Sequence, residues 1–139
     1  MEQLDAAIGA STLKSMRIDL ADTIDCRCLA ARRVARTITR HYEAELRRHG
    51  LKATQFSILA SLALGGPKPM SELAEFLGLE RTTLTRGAAL LRRNGWIGSD
   101  RTHDRRERPI KITATGRRKL EAAYPSWKAA QESAATIAA

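Results

Sequence analysis

Two clusters of arginine and threonine carry the strongest chemical signal in this 139-residue chain. The first is Arg81-Thr82-Thr83-Leu84-Thr85-Arg86; the second sets Arg101, Arg105 and Arg106 around Asp104. Arginine presents a planar fork of donors that matches two phosphate oxygens, or a guanine edge, at once. Threonine offers a hydroxyl to phosphates or base edges and a methyl to the thymine methyl. Such a set predicts recognition of a polyanion. No nucleophile–base–acid constellation or phosphate loop accompanies it, so the chain reads as a binding protein rather than an enzyme. Asp104 is the odd member, and pairing with a neighbouring arginine to stiffen the segment accounts for it.

The charge distribution points the same way. Lys plus Arg number 24 against 15 Asp plus Glu, a formal charge of +9. Residues 81–118 alone carry almost all of that excess, mostly as arginine. A basic stripe on one segment is the electrostatic footprint of nucleic-acid binding. Two cysteines, Cys26 and Cys28, are too few for a disulfide-built secreted scaffold. On a helix their side chains diverge and cannot bridge without unwinding it. Cys28 falls on an apolar stripe, where it reads either as a small core side chain or as a reactive, redox-sensing thiol. His41 and His49 are eight apart on one helix and a lone Cys-x-Cys lacks a second ligand pair, so neither metal nor cofactor is expected. The acidic start, Met1-Glu2-Gln3-Leu4-Asp5, and the lack of a long apolar run predict a cytoplasmic protein with no membrane segment.

The elements that position these residues are predominantly helical. From about 17 to 49, Ile24, Cys28, Ala31, Ala35, Ile38, Tyr42 and Leu46 recur at near-heptad spacing on one amphipathic helix. A second helix is expected from an N-cap at Thr54 through Leu64, ended by Gly65-Gly66-Pro67-Lys68-Pro69. Helices over 70–77 and 80–94 follow, separated only by Gly78-Leu79, which is a helix-turn-helix pattern. Their inner faces are Leu73, Ala74 and Leu77, then Leu84, Ala88 and Leu91. Arg81, Thr82, Thr83, Thr85 and Arg86 are left on the outward N-terminal end, with one of Thr82 and Thr83 as a helix cap. Trp96-Ile97 and the alternating 108–113 predict a hairpin whose basic tip spans 99–107. Pro109 marks its second strand as an edge. Thr113 caps a last helix, 114–139, with Leu120, Tyr124 or Ala123, Trp127, Ala130, Ala134 and Ile137 inward. Pro125 predicts a kink or break in it.

Ser71-Glu72-Leu73-Ala74, Leu77-Gly78-Leu79, Arg81 to Arg86 and Leu90 to Ile97 together resemble the MarR (multiple antibiotic resistance regulator) family. The segment Asp104-x-Arg106, with Ile110-x-Ile112-Thr113-x-x-Gly116, resembles that family's wing signature. The resemblance covers roughly residues 20 to 137. It implies a single domain of mainly α class with a small β-hairpin. Within it, a winged helix-turn-helix (54–113) is flanked by dimerisation helices (17–49 and 114–139). It further implies a homodimer on a palindromic operator in double-stranded DNA, usually a repressor released by a small ligand or an oxidant. Arg106 would enter the minor groove, with Asp104 anchoring its neighbour. A pocket walled by Tyr42, Phe56 and Trp127 is implied, although each also reads as plain core. The spacing of Cys28 to Tyr42 is similar to the branch that senses organic hydroperoxides through one cysteine, but Arg32 stands where that branch has tyrosine. Gly87-Ala88-Ala89 departs from the bulkier or polar residues usual in the recognition helix, and members often continue with a further helix beyond the region of Trp127. The alternative function is a sequence-neutral nucleic-acid-binding basic protein.

Overall fold

The computed structural model describes residues 16–100 and 108–138. Arg101, Asp104, Arg105 and Arg106 lie outside the described residues. The chain divides between Ala35 and Arg36 into two compact units.

In the first unit a 3-10 turn, Ala21–Asp25, precedes helix α1, Arg27–Leu46, which continues into the second unit. A helix starting at residue 17 is therefore not what forms. Asp19 Oδ1 accepts the Ala21 N–H at 2.9 Å, and the Thr23 hydroxyl donates to the Leu20 carbonyl at 2.7 Å. Short polar side chains bonded to nearby backbone favour a tight turn over a continuous helix. The α-helix begins after Cys26, whose carbonyl accepts the Ala30 N–H at 3.0 Å. Cys28, placed on a buried stripe by its spacing, is exposed, as are Ile24, Leu29 and Val34. The apolar periodicity is real, but this surface is uncovered in the single chain.

In the second unit α1 tightens into a 3-10 turn, Arg47–His49. Helices α2 (Ala53–Gly65), α3 (Met70–Leu77) and α4 (Arg81–Arg93) follow. Strands β1 (Ile97–Ser99) and β2 (Ile110–Ile112) and helix α5 (Ala114–Ala138) complete it. The centre of the core is Leu46, Ile58, Leu59, Leu62, Leu73, Leu84, Leu91 and Ile110, all fully buried. Helix α2 supplies three of these because it packs against α3, α4, β2 and α5. The N-cap of α2 is Lys52 rather than Thr54, which lies inside the helix. Gln55 decides this start, its Oε1 accepting the Lys52 N–H at 2.9 Å.

The helix-turn-helix forms as its pattern predicts. Helix α3 buries Leu73 and Ala74, α4 buries Leu84, Ala88 and Leu91, and Leu77 is half-buried. Between them Gly78 adopts φ of +63°, a left-handed conformation that costs glycine little and closes α3 within one residue.

Strand β1 runs antiparallel to β2, with Ile97 opposite Ile112 and Ser99 opposite Ile110. On the other side of β2, Lys68 and Ile110 exchange two backbone hydrogen bonds of 3.0 and 2.8 Å. Strand β2 is thus flanked on both sides at Ile110, not an edge there. Pro109 is compatible because it precedes the strand, and its carbonyl accepts the Asp100 N–H at 2.7 Å.

Thr113 caps α5 as expected: its hydroxyl oxygen accepts the Gly116 N–H at 3.0 Å and donates to the Gly95 carbonyl at 2.6 Å. One side chain therefore joins the start of α5 to the end of the helix-turn-helix. Pro125 does not break the helix, which runs unbroken across it. Glu121, Ala122 and Pro125 are all exposed, so water can satisfy the carbonyl that lacks a proline N–H. On the opposite face Ala123, Ser126, Ala130 and Ala134 are buried, and Ala123 rather than Tyr124 takes the inward position.

Candidate nucleic-acid interface

Helix α4 presents its first turn to solvent because its buried positions fall on one side. Arg81, Thr82, Thr83, Thr85 and Arg86 are all exposed. The N-cap is Glu80, which makes no side-chain cap bond, so neither Thr82 nor Thr83 caps the helix. The leading N–H groups of α4 are left without an intrahelical partner, at the end where the helix dipole is positive. Thr85 is partly committed, since its hydroxyl donates to the Arg81 carbonyl at 2.8 Å. It can still accept a hydrogen bond or offer its methyl. Arg92 and Arg93 occupy the last turn, where cations suit the negative end of the dipole.

The base of the wing is held next to this helix by β1 and β2. Lys111 Nζ lies 3.8 Å from Asp100 Oδ1 across the ladder. Both side chains are about half exposed, so this pair orients the strand ends more than it stabilises them. The wing arginines and Asp104 belong to the segment outside the described residues.

A second group of residues joins α1 to α5. His41 Nε2 meets Ser133 Oγ at 2.6 Å, and His49 Nε2 meets Ser126 Oγ at 3.0 Å. Between them the Tyr42 hydroxyl donates to Gln131 Oε1. His49 has its pKa lowered, first by burial and then by the nearby Lys119 and Arg48 cations. Tyr42 and Trp127 line a cleft of about 250 Å³ with Ile38, Thr39, Ala53 and Ser57. Phe56 does not reach it; the ring is buried and stacks on Trp127 at 5.6 Å, nearly parallel. Two of the three expected wall residues therefore meet in one cleft and the third supports it from behind.

Cys26 and Cys28 are both exposed free thiols. Among the described residues no group of three His, Cys, Asp or Glu side chains converges as a metal site, and no helix is long and apolar enough to cross a membrane. Sequence reasoning missed Lys52 and Gln55. The spacing Lys52-x-x-Gln55 ahead of an apolar run is the signal that could have found them, because a glutamine at the third helical position reaches back to the cap.

Comparison with known proteins agrees with this geometry. Residues 49–107 match the model of the MarR family. The HTH-type transcriptional regulator YwoH of Bacillus subtilis, itself described as uncharacterized, is 32% identical over 87 residues. That match covers 63% of this chain and 64% of YwoH. The M. tuberculosis transcriptional regulator MosR, solved in complex with DNA, is 43% identical with a TM-score of 0.71, covering 79% of this chain and 81% of MosR. Reduced AbfR bound to DNA is 25% identical with a TM-score of 0.68, covering 82% of this chain and 80% of AbfR. With residues 49–107 matching the family model and MosR 43% identical across most of both chains, the chain belongs to the MarR family.

Proposed function

We propose that this protein is a sequence-specific, homodimeric DNA-binding regulator of transcription in the cytoplasm. It acts as a repressor that leaves its operator when a small ligand binds or a thiol is oxidised. The observation that carries the reading is the N-terminal end of α4, where exposed Arg81, Thr82, Thr83, Thr85 and Arg86 share the end of the helix that enters a major groove in this motif. Arg81 and Arg86 would fork onto guanine or phosphate, while Arg101, Arg105 and Arg106 of the wing would straddle the adjacent minor groove, braced by Asp104.

Residues 17–49 and 114–139 would form the dimer as a single domain with the winged helix at 54–113. The uncovered Leu29 and Val34 of α1 favour a partner surface there. A ligand would occupy the cleft beside Tyr42 and Trp127, backed by Phe56. Cys28 would be the oxidant-sensing thiol; its exposure gives a peroxide access. The relative AbfR has been solved on DNA in both reduced and overoxidized forms.

The deciding experiment titrates the protein against its own upstream intergenic DNA and a scrambled duplex at several salt concentrations. A specificity ratio of roughly 10³ or more is expected. Equal affinity for both duplexes at every salt would identify a sequence-neutral binder instead. Arg106→Ala should reduce the log affinity–log salt slope by about one, and Arg86→Ala should in addition relax sequence preference. Peroxide should release the wild type but not Cys28→Ser.

A further inference from the structure

The start of α2 lacks the acceptor that helix N-termini ordinarily carry. Its N-cap is Lys52, which makes no side-chain cap bond, and an ammonium has no lone pair to offer. The first intrahelical bond runs from the Phe56 N–H to the Lys52 carbonyl at 3.0 Å. The Ala53, Thr54 and Gln55 N–H groups therefore have no partner within the helix. Gln55 uses its amide oxygen on the Lys52 N–H. Its amide nitrogen has no acceptor among the described residues, yet the residue is only 4% exposed. Among the described residues no buried side-chain atom is sealed without a partner, so this nitrogen keeps access to solvent, and Gln55 lines two clefts.

Two clefts meet at Gln55. The first, of about 260 Å³, lies between α2 and α4 and is lined by Lys52, Thr54, Gln55, Thr83, Arg86 and Gly87. The second, of about 310 Å³, runs toward the end of α1 past Arg47 and Glu43. Glu43 disfavours an anion in the second. In the first, both charged side chains are cations and the helix end is positive. Gly87 shapes it: a Cβ there would meet Ile58 Cδ1 at 3.2 Å and Thr54 Cγ2 at 3.9 Å. The missing side chain lets α4 seat against α2 and keeps Arg86 and Thr83 beside Lys52.

We propose that this first cleft is an oxyanion site for a phosphate group. Gln55 Nε2 and the leading N–H groups of α2 are its neutral donors, and Lys52 and Arg86 are its cations. A backbone phosphate of bound duplex and a free phosphate present the same chemistry, and only the first source rests on the DNA-binding reading above.

The test uses the full-length, 15N-labelled protein. Inorganic phosphate is titrated at constant ionic strength while the backbone amides of Thr54 and Gly87 are followed. The discriminating variant is Gln55→Glu, which keeps an oxygen to accept the Lys52 N–H but replaces the open donor with negative charge. A saturable phosphate response that this variant abolishes, with DNA affinity unchanged, assigns the site to a free anion. A tenfold or greater loss of DNA affinity in the variant, without a phosphate response in the wild type, assigns it to the duplex backbone. Both results together mean one site serves both. No phosphate response combined with wild-type DNA affinity and salt slope in the variant overturns the proposal. Lys52→Met is the second variant should Gln55→Glu not fold: it should weaken the phosphate response if the site takes a free anion, and reduce the salt slope by about one if it takes the duplex backbone. A wild type that does not prefer its upstream DNA would sink the regulator reading, while the phosphate titration still judges the cleft.

Discussion

A methyl group at Gly116 would strike the Trp96 carbonyl oxygen and come within 2.9 Å of Ile112 Cγ1. The same carbonyl accepts the Thr113 N–H at 3.0 Å, so the collision falls where α5 is tied to the wing base. Backbone cannot swing aside as a flexible side chain can. Gly116→Ala should therefore destabilise the fold by about 1–3 kcal/mol, measured by urea or thermal denaturation. The resemblance named this glycine as a signature position, and the close approach explains why a glycine is needed. His49 gives a second test. Its pKa in the fold lies below the ordinary 6.5, so in the window between the two values the unfolded chain binds more protons. Stability then rises with pH across that window. It should be flat well above 6.5, fall as the pH drops through that value, and level off below the folded-state pKa. His49→Gln should remove this component of the slope as the pH falls through and below 6.5, read from denaturation midpoints. An unchanged slope would mean that the Ser126 contact tolerates the charged ring.

Helix α5 carries Pro125 in its interior and still runs the full length from Ala114 to Ala138. An interior proline costs about 3 kcal/mol relative to alanine in a helix, and part of that is offset because proline also restricts the unfolded chain. Pro125→Ala should raise stability by about 1–3 kcal/mol in equilibrium unfolding. No gain would indicate that α5 already bends there at little cost. The wider lesson concerns competition between local rules and packing. Pro125 predicts a kink or break, yet the helix continues across it while Ala123, Ser126, Ala130 and Ala134 stay buried along its opposite face. At the other end of the chain the balance went the opposite way. The α1 stripe begins at Ile24 by spacing, yet Asp19 and Thr23 bond to backbone and turn the chain before the helix starts.

For the assembled protein, the uncovered apolar residues of α1 carry the clearest consequence. Leu29 is 43% exposed and Val34 51% exposed, although both lie on a well-formed helix. If α1 helps form the proposed dimer, Leu29→Glu should shift the protein toward monomer in sedimentation velocity. It should also weaken DNA binding, because two half-sites are gripped together only by a dimer. A variant that stays dimeric and binds normally would place the interface elsewhere. The thermal midpoint of the wild type should rise with protein concentration, as it does when folding and association are linked.

Much of this architecture could be read before any coordinates. Periodicity, Gly78 and the run of arginines located the helix-turn-helix to within a residue, because a short amphipathic helix buries whichever face its leucines occupy. Thr113 was legible as a cap for the same local cause. The arginines and threonines of α4 were legible as a surface, since the buried positions leave them nowhere else to point. What could not be read depended on contacts far apart in the chain. Lys68 pairing with Ile110, Gly87 seating α4 on α2, and Gln55 lining a cleft beside Arg86 all join segments far apart in the chain. Periodicity describes one element at a time. Which elements meet, and how closely, is set by the packing of the whole core, and the clefts between them are a product of that packing alone.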